Sequence, residues 1–176
     1  MAFATLFIGA AVLAAAAPVG AGPIDVFAPA RNGQLACIVP DKVKKTCKSL
    51  SQFTFRDGKI IDTTETLLVE KPLLTIQTRS VGEIRGRNSC GTLRTQDIES
   101  ATFLLRGNKA SRRTADRGRV AFMDVMANYL DREICSTYVP DGSAFRTVIL
   151  VNGSEHRHLS QPMIWVRPSD GYEVKP

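Results

Sequence analysis

The chain has 176 residues, 44% of them hydrophobic, and carries 23 Lys or Arg against 17 Asp or Glu, which gives a net charge of +6. This length suits one domain with a hydrophobic core, and the sequence contains no internal repeat, so a repeat array is excluded. The positive charge favours anionic partners but carries no information about the fold.

The N-terminal stretch at 2–17 is almost wholly apolar and rich in alanine. It is shorter than the roughly 20 residues that a membrane-spanning helix needs, and it is typical of the apolar part of a secretory signal peptide. The small residues Val19 and Ala21 precede a suitable cleavage point. We therefore predict a signal peptide at 1–21 and a single exported domain at 22–176, periplasmic or extracellular, with no transmembrane segment. No Lys or Arg precedes the apolar run, which leaves an uncleaved membrane anchor as the alternative.

The four cysteines are expected to form disulfide bonds, because an exported protein folds in an oxidising compartment. Three pairings are open to four cysteines. We favour Cys37 with Cys47, which closes a short loop, and Cys90 with Cys135, which ties a strand to the segment after the main helix. Zinc on cysteine is not favoured, since no two cysteines stand two to four residues apart and no His lies near them.

The exported domain begins with two segments that lack a periodic pattern. We predict an extended lead-in at 22–34 and a disulfide-closed loop at 37–50. Gly82 and Gly86 are expected to interrupt a strand further along. The strands predicted after the loop lie at 53–55, 60–69, 73–78, 89–93, 101–105, 134–139, 145–151, 155–159 and 163–166.

The first of these strands turns back on itself at Asp57-Gly58, a strong signal for a two-residue hairpin. Phe53 and Phe55 alternate with polar residues, as in a strand with one buried face. The hairpin places Ile60 opposite Phe55 and, in the same register, Asp62 opposite Phe53. A carboxylate is an imperfect match for an apolar face. A second strong hairpin signal is Asn152-Gly153, which also fits the glycosylation pattern together with Ser154.

One main amphipathic helix is predicted at about 115–132, capped by Thr114, with a shorter helix at 96–100. Its apolar residues recur at helical spacing: Val120, Met123, Ala127 and Leu130. Most predicted strands are joined by short turns, which favours antiparallel pairing. We therefore expect an α+β domain, disulfide-stabilised, with one helix packed on a mostly antiparallel sheet of about seven or eight strands.

A basic stretch precedes the main helix. Six cations at 106–119 stand against one acid, Asp116; they are Arg106, Lys109, Arg112, Arg113, Arg117 and Arg119. Arginine binds phosphate and carboxylate bidentately, and the first helix turn adds unpaired N–H groups. We predict an anion-binding surface for anionic lipid, an acidic polysaccharide or a protein partner, and the alternative is a solvated loop. Nucleic acid is not expected, because the protein is predicted to be exported and the stretch lacks aromatic residues for base stacking.

His156 and His158 are the only histidines, and they flank Arg157 in a run predicted as a strand. Residues two apart on a strand point to the same side, so the two imidazoles can fill two positions of a metal ion. A third ligand would have to be Asp or Glu. The alternative is a polar edge strand in water, and no other cofactor is expected.

Three functions follow from these patterns. The first is a small non-enzymatic exported domain that binds an anionic envelope component through the basic stretch. The second is a periplasmic hydrolase that depends on a metal at His156 and His158 or on carboxylates that meet across the sheet. The third is a structural or inhibitor-type module that binds protein. Catalysis is not favoured, because no Gly-x-Ser-x-Gly motif is present and the cysteines are expected to be oxidised.

Overall fold

A computed structural model describes residues 25–176, so the predicted signal peptide and the start of the predicted lead-in lie outside the described residues. The helices are α1 (Ala28–Arg31), α2 (Thr95–Glu99) and α3 (Arg112–Met126). The strands are β1 (Leu35–Ile38), β2 (Thr46–Cys47), β3 (Ser49–Arg56), β4 (Lys59–Val69), β5 (Leu74–Arg85), β6 (Asn88–Thr92), β7 (Thr102–Leu105), β8 (Asn108–Lys109), β9 (Glu133–Asp141), β10 (Ala144–Val151), β11 (Ser154–Glu155), β12 (Gln161–Val166) and β13 (Glu173–Val174). In this part of the chain, no helix is long and apolar enough to cross a membrane.

Eight of the strands close into a barrel. Their order is β4, β3, β1, β12, β10, β9, β6 and β5, and β5 pairs again with β4 to complete the ring. Every pairing in the ring is antiparallel. β7 and β8 continue outward from β5, and β11 pairs with β10, so the sheet has eleven strands.

The prediction of a mostly antiparallel sheet with one main helix is confirmed, but its strand number was too low. Two strands of the sheet, β8 and β11, have only two residues each, which is too short for an alternating pattern. The segment predicted as a loop at 37–50 contains the second half of β1, all of β2 and the first two residues of β3, and its cysteines and lysines hide their alternation. The predicted strand at 155–159 is wrong, because Arg157–Leu159 forms a turn of 3-10 helix after β11.

The two strong hairpin signals are confirmed. Asp57 and Gly58 have φ values of 50° and 74°, and Asn152 and Gly153 have φ values of 48° and 80°. Positive φ at both central positions gives the turn a twist that matches the flanking strands, which explains the Asp-Gly and Asn-Gly pairs. The first turn sets the β3–β4 register, in which Phe55 faces Ile60 and Phe53 faces Asp62, as the sequence predicts.

Gly82 lies inside β5 and does not interrupt it, so that part of the prediction is wrong. Gly82 is paired with Gly91 of β6, where the two strands meet. A Cβ atom at Gly82 would lie 2.4 Å from the carbonyl oxygen of Cys90, which is backbone and cannot move aside. Glycine is therefore needed at 82 for a close approach of two strands. Gly86, with φ of 63°, does lie in the turn after β5.

One end of the barrel is filled by an aromatic core. Phe27, just before α1, contacts Phe53 and Tyr138 edge to face, with ring centroids 6.1 Å and 5.2 Å apart. Trp165 of β12 contacts the ring of Phe53 at 5.9 Å. The extended lead-in predicted here is wrong over α1, because Pro29 is accommodated in the first helical turn, where its missing N–H has no partner to lose. This core also contains Val26, Ala30, Ala36, Ile60 and Met163.

α3 lies across the opposite end of the barrel. It begins three residues earlier than predicted, because Ser111, and not Thr114, is the N-cap: the Ser111 Oγ accepts a hydrogen bond from the Thr114 N–H at 3.3 Å. It ends at Met126, and Ala127–Tyr129 continues as a 3-10 turn towards β9. The predicted bounds of 115–132 therefore need correction at both ends.

The face of α3 that meets the rest of the protein also differs from the predicted one. Gly118 is buried against Phe103 of β7, and Phe122 and Met126 face the barrel. Val120, predicted on the buried face, is 62% exposed. Apolar residues occur all around α3, so their spacing alone does not identify the face that packs on the protein. That face is the one with the small Gly118, which allows a close approach to Phe103.

Both predicted disulfides form. Cys37 and Cys47 are joined on the outer face of the barrel, where they build a second small core with Val166. β13 pairs in parallel with β2 beside this core and so holds the C-terminal segment to the barrel. Cys90 and Cys135 join directly paired residues of β6 and β9.

Candidate functional site

A polar band crosses the barrel interior between the aromatic core and α3. Alternate residues of a strand share one face, so β4 directs Ile60, Asp62 and Thr64 into the barrel. Asp62 is the acidic member of this band. The hydroxyl-bearing residues that line the same space come from several other strands: Ser49, Ser51, Thr78, Ser80, Ser89, Ser136 and Thr147.

The Asp62 carboxylate is held by hydroxyl groups. Thr64 Oγ1 donates to Asp62 Oδ1 at 2.7 Å, and Thr64 Oγ1 lies 2.5 Å from Ser51 Oγ in turn. No Lys, Arg or His nitrogen within residues 25–176 lies within 4 Å of this carboxylate. The negative charge is therefore inside the barrel without a cationic partner from the described part of the protein.

The titration of Asp62 follows from this position. Burial raises its pKa to about 6, and the hydrogen bonds from Thr64 and Ser51 oppose the shift only in part. Burial, and to a smaller extent the charge of Asp62, raises the pKa of Tyr138 far above its usual range. Near neutral pH the site therefore combines a largely ionised acceptor with a protonated phenol.

Open space surrounds the carboxylate. One cavity of about 260 Å³ lies on the β5–β6 side of Asp62, and another of about 380 Å³ lies on the β9–β10 side. Met126 of α3 and Ile134 of β9 line both cavities, so the two spaces adjoin beneath the helix. An eight-stranded barrel is wide enough to hold one small ligand, and these volumes are near the lower end of ligand pockets.

The cavity walls combine the hydroxyls with apolar surface. α3 contributes Phe122, Val125 and Met126, and the barrel adds Ile149 and Val151. A few fixed polar groups in an otherwise apolar cavity are typical of a small-molecule site, where the polar groups set the orientation. Asp62 is the only carboxylate lining either cavity in the described residues, so this site does not bring two carboxylates together for acid–base hydrolysis.

Two other carboxylates share one arginine on the outside of the barrel. Arg85 contacts Glu83 at 3.7 Å and Glu133 at 2.7 Å, in a surface cleft between β5, β6 and α2. Each carboxylate is substantially exposed and shares the same guanidinium. This arrangement is an ordinary surface ion-pair network, which stabilises a protein only modestly.

The six cations of the basic stretch are divided between a hairpin and a helix. Arg106 lies in the turn after β7, Lys109 lies on β8, and the other four lie in the first half of α3. Asp116 contacts Arg119 at 2.9 Å and Arg112 at 3.9 Å.

The four arginines of α3 differ in their surroundings. The Arg119 guanidinium lies 5.5 Å from the ring centre of Phe103 and is only 25% exposed, so this residue has a packing role. Arg113 and Arg117 are exposed, and neither has an acidic group within 4 Å in the described part of the chain. The anion-binding surface stays a prediction, and Arg113 and Arg117 are its most available members.

His156 and His158 lie close together, with ring centroids 5.6 Å apart. His158 Nε2 is 3.0 Å from the Tyr129 hydroxyl, and His156 contacts the Tyr129 ring edge to face. No group of three His, Cys, Asp or Glu side chains positioned for a metal ion occurs within residues 25–176. Metal binding at the two histidines therefore stays a prediction without a third ligand.

Asp62 is the residue that sequence reasoning did not identify as functional. Its signal is the Asp57-Gly58 turn, which fixes a register that puts a carboxylate opposite Phe53 on an apolar face. A charge in such a position is unfavourable unless it is paired, so a carboxylate there is a candidate functional residue. Comparison with protein-family models, curated proteins and solved structures found no match for this chain, so the site's chemistry is inferred from its residues alone.

Proposed function

We propose that this protein is an exported, non-enzymatic binding protein that holds a small amphipathic molecule inside its barrel. The observation that supports this most directly is the Asp62 carboxylate, which faces two adjoining cavities and has no cationic partner within residues 25–176. A buried carboxylate destabilises a fold unless its charge is compensated, and a ligand can supply the opposite charge that the described residues do not. The two disulfides are compatible with an exported location.

The chemistry of the cavity favours a ligand with one hydrogen-bond-donating head and an apolar body. An ionised carboxylate only accepts hydrogen bonds, so the head must donate, and a protonated amine would also neutralise the charge. The apolar body would lie against Phe122, Met126 and Ile149. A carboxylate ligand is disfavoured in this cavity, because it would meet the Asp62 charge at low dielectric constant.

The test is a titration with three ligands that share one short alkyl or aryl body and carry an ammonium, a hydroxyl or a carboxylate head. Trp165, the only tryptophan, lies beside the Phe53 ring next to the polar band, so its fluorescence can report binding. Calorimetry should give the affinity order amine, alcohol, carboxylate. Asp62→Asn should weaken amine binding about tenfold or more, as expected for loss of a charge-assisted hydrogen bond.

Asp141→Asn is the matched control, since Asp141 is exposed at the end of β9 and lies outside the cavities. This variant should bind the amine as the wild type does. Amine binding should also weaken as the pH falls through about 6, because Asp62 then becomes neutral. Equal affinity in wild type and Asp62→Asn, or no binding of any member of the series, would refute a ligand site at Asp62.

The other predicted functions remain separate proposals. Hydrolysis at His156 and His158 needs a third metal ligand, and a protein-binding module needs no internal cavity. If binding occurs in the barrel, Asp62→Asn should weaken ligand binding, and His156→Gln and His158→Gln should leave it unchanged. Loss of function only in the histidine variants would favour the hydrolase.

A further inference from the structure

We propose that a second site, beside the barrel cavities and separated from them by Phe122 and Val125 of α3, binds the acyl chain of a single-chain anionic amphiphile such as a fatty acid. The site is the groove between α3 and the adjacent ends of β4 and β5, called here the helix groove. Its walls include Leu67, Val69 and Leu74 from the strands, and its α3 wall extends from Thr114 to Val125.

The helix groove is apolar and open along its length. Val125 is 71% exposed and Val69 is 43% exposed, although both stand among apolar neighbours. The groove has a volume of about 610 Å³, within the range of ligand pockets. The lining positions of α3 extend from Thr114 to Val125, about 16 Å of helix, which suits a linear chain better than a compact molecule.

The groove stays open because of how α3 is held. Gly118 lies so close to Phe103 that a Cβ atom there would be 2.7 Å from the ring. Phe122 then points towards the barrel cavity while Ala121 and Val125 remain at the surface. The helix therefore contacts the strands along one edge, and the stripe beside that edge is left without a protein partner in the described residues.

The charge at the groove determines the kind of head group. Arg117 lines the groove, and Arg113 lies one helical turn before it on the same helix. Asp116, the nearest acid in sequence, is engaged by Arg112 and Arg119. Among residues 25–176 no carboxylate lines the groove, and Asp124 is exposed on α3 outside it. An apolar groove with free guanidinium groups at one end is complementary to an acyl chain with an anionic head.

A second copy of the chain fits this surface less well. Pairing two helix grooves would bring Arg113 and Arg117 of both copies together without a carboxylate from either groove to neutralise them. Like charges in an interface oppose association. The anionic amphiphile satisfies both the apolar wall and the positive end, which neither a neutral lipid nor another copy does.

The test compares laurate, dodecanol and dodecylamine, below their aggregation concentrations, by calorimetry on the full chain carrying Asp62→Asn, which removes the carboxylate expected to bind an amine in the barrel. Laurate should bind tightest, and each added CH₂ in a fatty-acid series should increase its affinity by up to about fourfold, the value for full burial. Arg113→Gln together with Arg117→Gln should weaken laurate binding by about tenfold and leave dodecanol binding unchanged. Arg56→Gln together with Arg87→Gln is the charge control and should leave laurate binding unchanged, since Arg56 is the last residue of β3, Arg87 lies in the turn after β5, and neither lines the groove.

Two exposed valines of α3 provide the matched pair for the groove wall. Val125→Asp should reduce laurate binding more than tenfold, because Val125 lines the groove. Val120→Asp adds the same charge to the same helix at a position outside the groove and should have little effect. Asp62→Asn should leave laurate binding unchanged, which separates this site from the barrel cavity.

Four outcomes would overturn the proposal. Binding that is equal for all three head groups would show that the arginines do not select the ligand. Loss of laurate binding in Asp62→Asn, with no loss in Arg113→Gln together with Arg117→Gln, would place the acyl chain in the barrel. Equal loss of laurate binding in Val120→Asp and Val125→Asp would show that the added negative charge on α3, and not the change in the groove wall, weakens binding. Finally, no laurate binding would mean that the groove has another occupant. A dimer in sedimentation would identify that occupant as a second copy of the chain. Laurate binding that appears only after residues 2–17 are removed would identify it as that apolar segment.

Discussion

The two ends of the barrel are built differently. At one end Phe27, Phe53, Tyr138 and Trp165 form an interlocking aromatic core with α1. At the other end α3 lies over two cavities and a groove, and two of its valines face solvent. The same closed sheet therefore has one tightly packed end and one loosely covered end.

This contrast separates the source of stability from the site of binding. Large buried rings contribute much of the apolar area that stabilises a small domain, and they leave no room for a ligand. Cavities and exposed apolar residues weaken the other end, and elements of low local stability are the ones that move to admit ligands. We therefore expect changes at the aromatic end to alter folding and changes at the α3 end to alter binding.

The strongest test of this contrast is Phe27→Ala. Phe27 is 1% exposed and contacts three other rings, so its removal should lower the free energy of unfolding by about 3–5 kcal/mol. Chemical denaturation measures the change. Val125→Ala, at the exposed end, is the comparison and should alter stability by less than about 0.5 kcal/mol. Similar losses of unfolding free energy in the two variants would show that the two ends of the barrel contribute equally to stability.

The second test is the pH dependence of stability. The pKa of Asp62 is raised from 3.8 to about 6 in the folded protein, so the folded state binds the proton more tightly than the unfolded state. The stabilising effect of the proton is complete below pH 4 and is lost as the pH rises to about 6, a change of at most about 3 kcal/mol. Asp62→Asn should therefore unfold at a higher denaturant concentration than wild type at pH 8, although it binds the amine less well. An Asn variant less stable than wild type at pH 8 would contradict a destabilising buried charge, and Asp141→Asn is the control.

A smaller effect should separate packed and exposed positions of α3. Gly118→Ala would favour the helix by about 1 kcal/mol at an exposed site, but the new methyl group overlaps the buried Phe103 ring. We expect a net destabilisation of about 1 kcal/mol by thermal denaturation. In the Gly118→Ala variant, backbone amide hydrogen exchange should be faster in α3 than in β3. Stabilisation by this change would mean that α3 is not seated on Phe103.

The smallest expected effect on stability is that of the arginines. Arg113→Gln together with Arg117→Gln should shift the free energy of unfolding by less than about 0.5 kcal/mol, because both side chains are exposed and lack acidic partners in the described structure. Arg119→Gln should destabilise more, since its guanidinium lies over Phe103 and its Nε is buried. Equal changes in the free energy of unfolding would show that Arg119 contributes no more packing than Arg113 and Arg117.

Local sequence signals predicted the parts of the fold that depend on neighbouring residues. Asp57-Gly58 and Asn152-Gly153 determine their hairpins because few residues adopt the required positive φ. The favoured cysteine pairing, one of three that the sequence left open, is confirmed. The closure of the barrel is not visible in this way, because β6 pairs with β9 and β1 with β12 across long stretches of chain. Ser111 gives no clear start signal for α3 either, since the residues that follow it are basic and not periodic.

The candidate site illustrates the same limit. The hairpin register shows that Asp62 shares a face with Phe53, but only the closed ring shows that this face is the inside of a barrel. The cavities depend on where α3 lies, which Gly118 and Phe103 decide through a contact between distant segments. The basic stretch, in contrast, is evident from composition. Only the packed structure shows that Arg119 lies over Phe103, whereas Arg113 and Arg117 are exposed.

The closed sheet also affects how the protein behaves when crowded. An open sheet exposes the N–H and C=O groups of an edge strand, to which a strand from another chain can pair. In this fold all eight ring strands have neighbours on both sides, and β8 and β11, where the sheet's branches end within residues 25–176, have only two residues each. Strand exchange and fibril growth therefore have little exposed backbone from which to start, and the folded protein should resist edge-to-edge aggregation even at high concentration.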